Sequence, residues 1–282
     1  MSVWKAELST VFEASTFGST ILRHRQSYGP MALQKILYPE GPAIAHGFLL
    51  HPPSGIAGGD ALSISSRVLP NAHALLTTPG AARWYKANGQ VAQQQLQITV
   101  EDHGCLEWLP SENIFFDECQ ARLITDIRLA PAARFIGWEV MQFGQRQSLQ
   151  STDHLWRSAS VQVDASVTIG DCLDWKELAA FSPQNVHHRP AIQGTGGFPV
   201  HGTLWAYSDQ PLSESDQESW SRLASFSSAL RSGFTQLPSG LVVFRVLALE
   251  TEIARSALVQ AWEFLRPWAV GRTAQPLRIW AT

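Results

Sequence analysis

The chain has 282 residues, 45% of them hydrophobic but only 16% charged, and a formal net charge of −3. An average soluble domain carries roughly 25% charged residues, so the charged coat is thin. With no surplus or run of Lys and Arg, the chain offers no field to attract nucleic acid, which is excluded as an expected partner.

No stretch of about 20 apolar residues is available to span a bilayer, so no membrane partner is expected. The N-terminal segment, with Glu7 and Glu13, has neither the basic nor the apolar region of a signal peptide, and a cytoplasmic protein is the expectation. Cys105, Cys119 and Cys172 are odd in number, far apart and without a CxxC. They encode no disulfide framework or structural zinc site and are expected to be small buried hydrophobes.

Most of the first 210 residues read as short strands bounded by Pro, Gly, Asn and Asp. Residues 51–60, HPPSGIAGGD, form a turn-rich break after the apolar run HGFLL, and the strand-like DALSISSRV follows. Leu96 to Val100 alternates apolar and polar, EDHG supplies a turn, and CLEWL resumes the pattern. ENIFF, RLITDIRL, RFIGWEVMQF, SVQVDASVTI and TLWAY repeat the texture. Gly and Pro at this frequency argue against βαβ units and favour antiparallel pairing.

Two helices are expected near the C-terminal end. Between Ser213 and Ser232, Trp220, Leu223, Ser227, Leu230 and Phe234 fall at helical spacing behind the acidic opening SESDQE. From Thr251 to Leu265, Ala254, Ala257, Leu258, Ala261, Trp262 and Leu265 make one apolar stripe, and Pro267 is expected to end it. With no repeat and no linker, the expectation is one mostly β domain over 1–282, of antiparallel or mixed sheets with those two helices.

No standard catalytic signature is present. The segment GIAGGD lacks the spacing of a phosphate loop, and Ser54 lacks the context of a nucleophile elbow. His46 and His51, five apart, and the pair His187–His188 read as hydrogen-bonded loop or core residues rather than metal ligands. Asp60, Glu112, Asp117, Glu139 and Glu177 are more informative. Each sits at or beside an apolar strand, where an unpaired carboxylate is costly to bury; a salt bridge or exposed strand end is the plain account of any one.

Four segments, HPPSGIAGGD, LLTTPGAARWYK, EWLPSENIFFD and FLRPWAVGRTAQPLRIW, together resemble the urease accessory protein family UreD, called UreH in some species. They occur in the family's order over residues 46–280. Ser54 stands where the family usually has Gly, and Glu118–Cys119 where it usually has a small Gly-Ala pair. The resemblance implies a non-enzymatic, mostly β scaffold that bridges nickel-free urease to UreF and, through it, to the GTPase UreG. It implies no tightly bound cofactor, only transient Ni²⁺.

In that setting the Pro and Gly residues would fix a rigid, close-approach loop with His51 as an anchor and Asp60 as an anchor or a lining group. Several His or Cys ligands would hold Ni²⁺ too tightly to release it. Spaced carboxylates suit transfer, and Asp60, Glu112, Asp117, Glu139 and Glu177 are the candidate nickel-path groups, Asp60 and Glu112 the candidate transient ligands. Trp268, Arg272, Arg278 and Trp280, with Arg266, gather interface-prone residue types into a candidate partner surface. A β-sheet binding module for carbohydrate or protein, unrelated to nickel, is the alternative suggested by 11 Trp.

Overall fold

A computed structural model describes residues 4–53, 55–146, 154–188, 194–221 and 227–281. Two large sheets stack face to face, and a long helix covers the outer face of one of them. The outer sheet runs, edge to edge, Cys172–Phe181, Ser160–Ile169, Gln120–Leu129, Ala92–Val100, Ala61–Val68, Lys5–Ala14 and Thr20–Tyr28. The middle sheet runs Leu230–Gln236, Val242–Ala248, Val200–Tyr207, Arg134–Phe143, Cys105–Trp108, His73–Thr77, Ile44–Leu50 and Ala32–Leu33. Short strands Asn113–Phe115 and Ala82–Trp84 extend it beside Arg134–Phe143.

The mixed sheets and C-terminal helices match expectation; the preference for antiparallel pairing does not. Inside the outer sheet every neighbouring pair is parallel, and only its two outermost pairs are antiparallel. Parallel strands need a long crossover, usually a helix. Here the opposite sheet supplies it: the chain alternates Ile44–Leu50, Ala61–Val68, His73–Thr77, Ala92–Val100, Cys105–Trp108, Gln120–Leu129, Arg134–Phe143 and Ser160–Ile169, switching sheet at each step. The Gly- and Pro-rich breaks between these eight strands are therefore corners between sheets, whereas Gly18, Gly170 and Gly240 sit in hairpin turns.

Burial follows from this layering. Gln120–Leu129 alternates, with Leu123, Ile127 and Leu129 inward and Arg122 and Arg128 outward. Arg134–Phe143 lies between the outer sheet and the helix, so both its faces are covered and nearly every residue is buried.

The helix Thr251–Val270 buries Ala254, Leu258, Ala261, Trp262 and Leu265 as expected, leaves the expected Ala257 half-buried, and also buries Ala269 beyond the expected stop. It runs past Pro267, the expected stop, and ends at Gly271, whose φ of 72° is left-handed and whose N–H donates to the Pro267 carbonyl at 3.0 Å. Proline removes one helical donor near the end, where the last turn and the glycine cap still close. The other helix is Glu214–Ser221. Leu230 and Phe234, assigned to it by spacing, belong to the strand Leu230–Gln236, and Leu223 lies outside the described residues, as does Ser54. Cys105 and Cys119 are buried, whereas Cys172 is exposed because it opens an edge strand.

Candidate functional site

The HPPSGIAGGD loop crosses the end of the sheet stack against residues 82–87. A Cβ on Gly58 would stand 1.7 Å from the Ala87 carbonyl oxygen, and one on Gly55 2.1 Å from the Tyr85 ring. Backbone packed this closely against a neighbour admits only glycine. Asp60 holds the loop closed: its Oδ2 accepts from the Ala57 N–H at 2.8 Å and Oδ1 from the Trp4 N–H at 3.4 Å.

Beneath this loop, between the sheets, lies a cavity of about 500 Å³. Its walls are largely apolar, including Leu49, Ile56, Ile64 and Leu96, and its ionisable lining consists of His51, Arg83 and Glu139. Burial pushes the His51 imidazole below its ordinary pKa, and Asp60 nearby opposes the shift. Glu139 rises from the middle sheet and is 6% exposed. Burial raises its carboxyl to about 7 against the Thr125 hydroxyl, which donates to its Oε1 from the outer sheet; the charge of Glu177 pushes it up further. Near neutral pH, Glu139 is thus poised between acid and carboxylate.

The other predicted carboxylates are dispersed. Asp117 Oδ1 accepts from the N–H groups of Arg157, Ser158 and Glu118 at 2.6, 2.8 and 3.0 Å. Burial alone would raise its pKa, but these three bonds lower it. The neighbouring Glu118 takes a φ of 61°, a left-handed backbone that glycine adopts without strain. Glu112 lines a separate open cleft with Glu252, Arg255, Glu263 and Trp280. Glu177 is paired bidentately with Arg245, at 3.0 and 2.8 Å, at the sheet edge. Among the described residues no three His, Cys, Asp or Glu side chains gather as a metal site.

Of the predicted surface residues, Arg272 and Arg278 are exposed. Trp280 packs on Trp138 and Trp262, at 5.6 and 5.4 Å between ring centroids, with the Arg255 guanidinium 5.7 Å from its own ring. Trp268 donates its indole N–H to the Gln210 carbonyl at 2.9 Å. Arg266 is fully buried and cannot belong to any partner surface.

Arg266 instead centres an ionic network that sequence reasoning missed. Its Nε and Nη2 donate to Glu107 at 2.9 Å each, its Nη1 and Nη2 to Glu40 at 2.8 and 2.7 Å, and Nη1 also to the Thr273 carbonyl at 2.6 Å, so all five N–H groups are satisfied. His46 contacts Glu40 at 3.1 Å, His73 contacts Glu107 at 2.9 Å, and the Trp262 indole donates to Glu107 at 2.8 Å. Burial would raise both carboxyls, but these bonds hold Glu40 and Glu107 at about 2. The available signal was Arg266 lying on the apolar helix stripe, and Glu107 flanked by apolar residues in CLEWL.

The molecule is thus a two-sheet, helix-backed β scaffold with a largely apolar intersheet cavity and dispersed carboxylates. The family profile described as "UreD urease accessory protein" matches residues 5–281. The urease accessory protein UreD of Bordetella pertussis is 38% identical over 283 aligned positions, covering 99% of this chain and 98% of the relative. Those of Delftia acidovorans and Cupriavidus pinatubonensis are 37% and 39% identical, covering 100% and 99% of this chain and 95% of each relative. The chain belongs to the UreD family of urease accessory proteins. None of its described helices is long and apolar enough to cross a membrane.

Proposed function

We propose that this chain is a non-enzymatic scaffold for nickel insertion into apo-urease, working in the cytoplasm and bridging urease to UreF and the GTPase UreG. Nickel is its cargo, held transiently. The observation that carries this reading is Glu139 in the intersheet cavity, a lone carboxyl poised near neutrality in a largely apolar enclosure. A single carboxylate with water binds a divalent cation and lets it go, whereas a cluster of imidazoles or thiolates would retain it. Glu139 and His51 are the groups offered to the ion inside the cavity, while Asp60 fixes the loop above it through backbone hydrogen bonds.

Deleting the gene under limiting nickel should leave urease expressed and folded but poor in nickel and inactive. Metal analysis of the purified enzyme checks this, and normal nickel content in the deletion strain would overturn the proposal.

A further inference from the structure

The intersheet cavity is lined in two tiers of different chemistry. Met31, Leu49, Ile56, Leu62, Ile64 and Leu96 form an inner apolar wall, all of them buried. Ile64 and Leu96 stand side by side in the outer sheet and Leu49 comes from the middle sheet, so the apolar surface belongs to both layers. The rim is drawn from residues 51–53, 78–83 and 110–111, which are half-buried or exposed.

Two rim hydroxyls are already engaged: the Ser111 N–H donates to Thr78 Oγ1 at 2.9 Å, and the Ser111 hydroxyl donates to the Thr78 carbonyl at 3.2 Å. Arg83 is different. Its guanidinium is the one permanent cation of the lining, is exposed, and makes no hydrogen bond or ion pair with any described residue. Its backbone, by contrast, is held: the Arg83 carbonyl accepts from the Ile56 N–H at 2.7 Å, and the strand Ala82–Trp84 pairs with Asn113–Phe115. An uncommitted positive charge therefore leaves a fixed point on the rim of an apolar enclosure. Burial favours the neutral form of Glu139, so that side chain opposes an anion at the rim only weakly.

We propose that this cavity is a binding site for small amphiphilic monocarboxylates, with the apolar body between the sheets and the carboxylate meeting Arg83 at the rim. The cavity's volume of about 500 Å³ lies within the range of ordinary small-molecule sites, which are likewise largely apolar with a few polar groups that set orientation. A guanidinium presents paired N–H donors that match a carboxylate bidentately. One free cation balances one negative charge, so a phosphate dianion would be only half compensated, and an alcohol would leave Arg83 unpaired. A fatty acid the size of octanoate meets both tiers. The inference goes beyond the nickel reading and does not depend on it, since an occupied cavity would exclude water, and any hydrated cation, from Glu139.

Titration calorimetry of the metal-free full chain, kept soluble as a fusion with a carrier that is also titrated alone, compares octanoate with octanol. Octanoate should bind at a single site with a Kd on the order of 0.1 mM, and octanol about fivefold more weakly, because it lacks the charge that pairs with Arg83. Arg83→Met, at an exposed position, should weaken octanoate about fivefold and leave octanol unchanged. Ile64→Phe adds bulk to the inner wall and should weaken both ligands by about tenfold or more. Leu62→Phe repeats that test from the neighbouring wall position, with circular dichroism to check that each variant folds. A folded wild type that does not bind octanoate, or that binds octanol as tightly, overturns the site. So does an octanoate affinity unmoved by Arg83→Met or by both wall substitutions.

Discussion

Glu139 is where burial and charge meet most directly. Its folded pKa of about 7 lies above its unfolded value of 4.5, so folding favours the protonated form. The protein is therefore penalised progressively as pH rises from about 4.5 to about 7, and equally at all higher pH. Glu139→Gln retains a neutral hydrogen-bonding side chain and escapes the penalty. Denaturant unfolding should show the variant matching the wild type near pH 4 and exceeding it by about 3 kcal/mol above neutrality, from the pKa difference at 1.36 kcal/mol per unit. A stability difference that does not change with pH would contradict the assignment. The sequence showed Glu139 as a carboxylate inside an apolar strand, but not that Thr125, fourteen residues earlier, meets it across two sheets. Contacts of that kind arise from the stacking, and no local pattern announces them.

At the scale of elements, Arg266 clamps the helix Thr251–Val270 to strand Cys105–Trp108 and to the loop carrying Glu40, which His46 of strand Ile44–Leu50 also contacts. Replacing it with Met should cost about 3 to 5 kcal/mol, because Glu40 and Glu107 would be left buried without their cation. Both carboxyls lie at about 2, below the unfolded value. Their contribution is thus present above about pH 4.5 and is lost as pH falls toward 2. The wild type should lose stability through that acid window, and Arg266→Met should lose less there, having little left to lose; thermal melts at pH 7 and pH 3 make the comparison. The helix was legible from its stripe and several strands from their alternation. The winding of the chain between sheets was not, because Gly and Pro mark a corner between layers and a hairpin turn with the same residues. Pro267 misled for a related reason: a proline near a helix end forfeits one donor, and Gly271 determines where the turn stops.

For the whole molecule, the thin charged coat leaves apolar side chains uncovered at the sheet edges. On the edge strand Cys172–Phe181, Leu173 is 60% and Leu178 72% exposed, and beyond the opposite edge Phe17, in the turn before Thr20–Tyr28, is 96% exposed. Open strand edges with apolar side chains template pairing with another chain. The full chain alone should therefore self-associate at tens of micromolar, and co-expression with UreF should suppress this by covering apolar surface. If the edge strand is responsible, Leu173→Lys/Leu178→Lys should lower the apparent mass in light scattering while shifting unfolding by no more than about 0.5 kcal/mol per site, as expected for surface positions. Lysine suits the purpose because its charge opposes edge-to-edge pairing and its long stem keeps the ammonium in water. A wild-type chain that remains a monodisperse monomer without any partner would refute the whole-molecule claim, and a double variant that aggregates like wild type would move the sticky surface away from this strand.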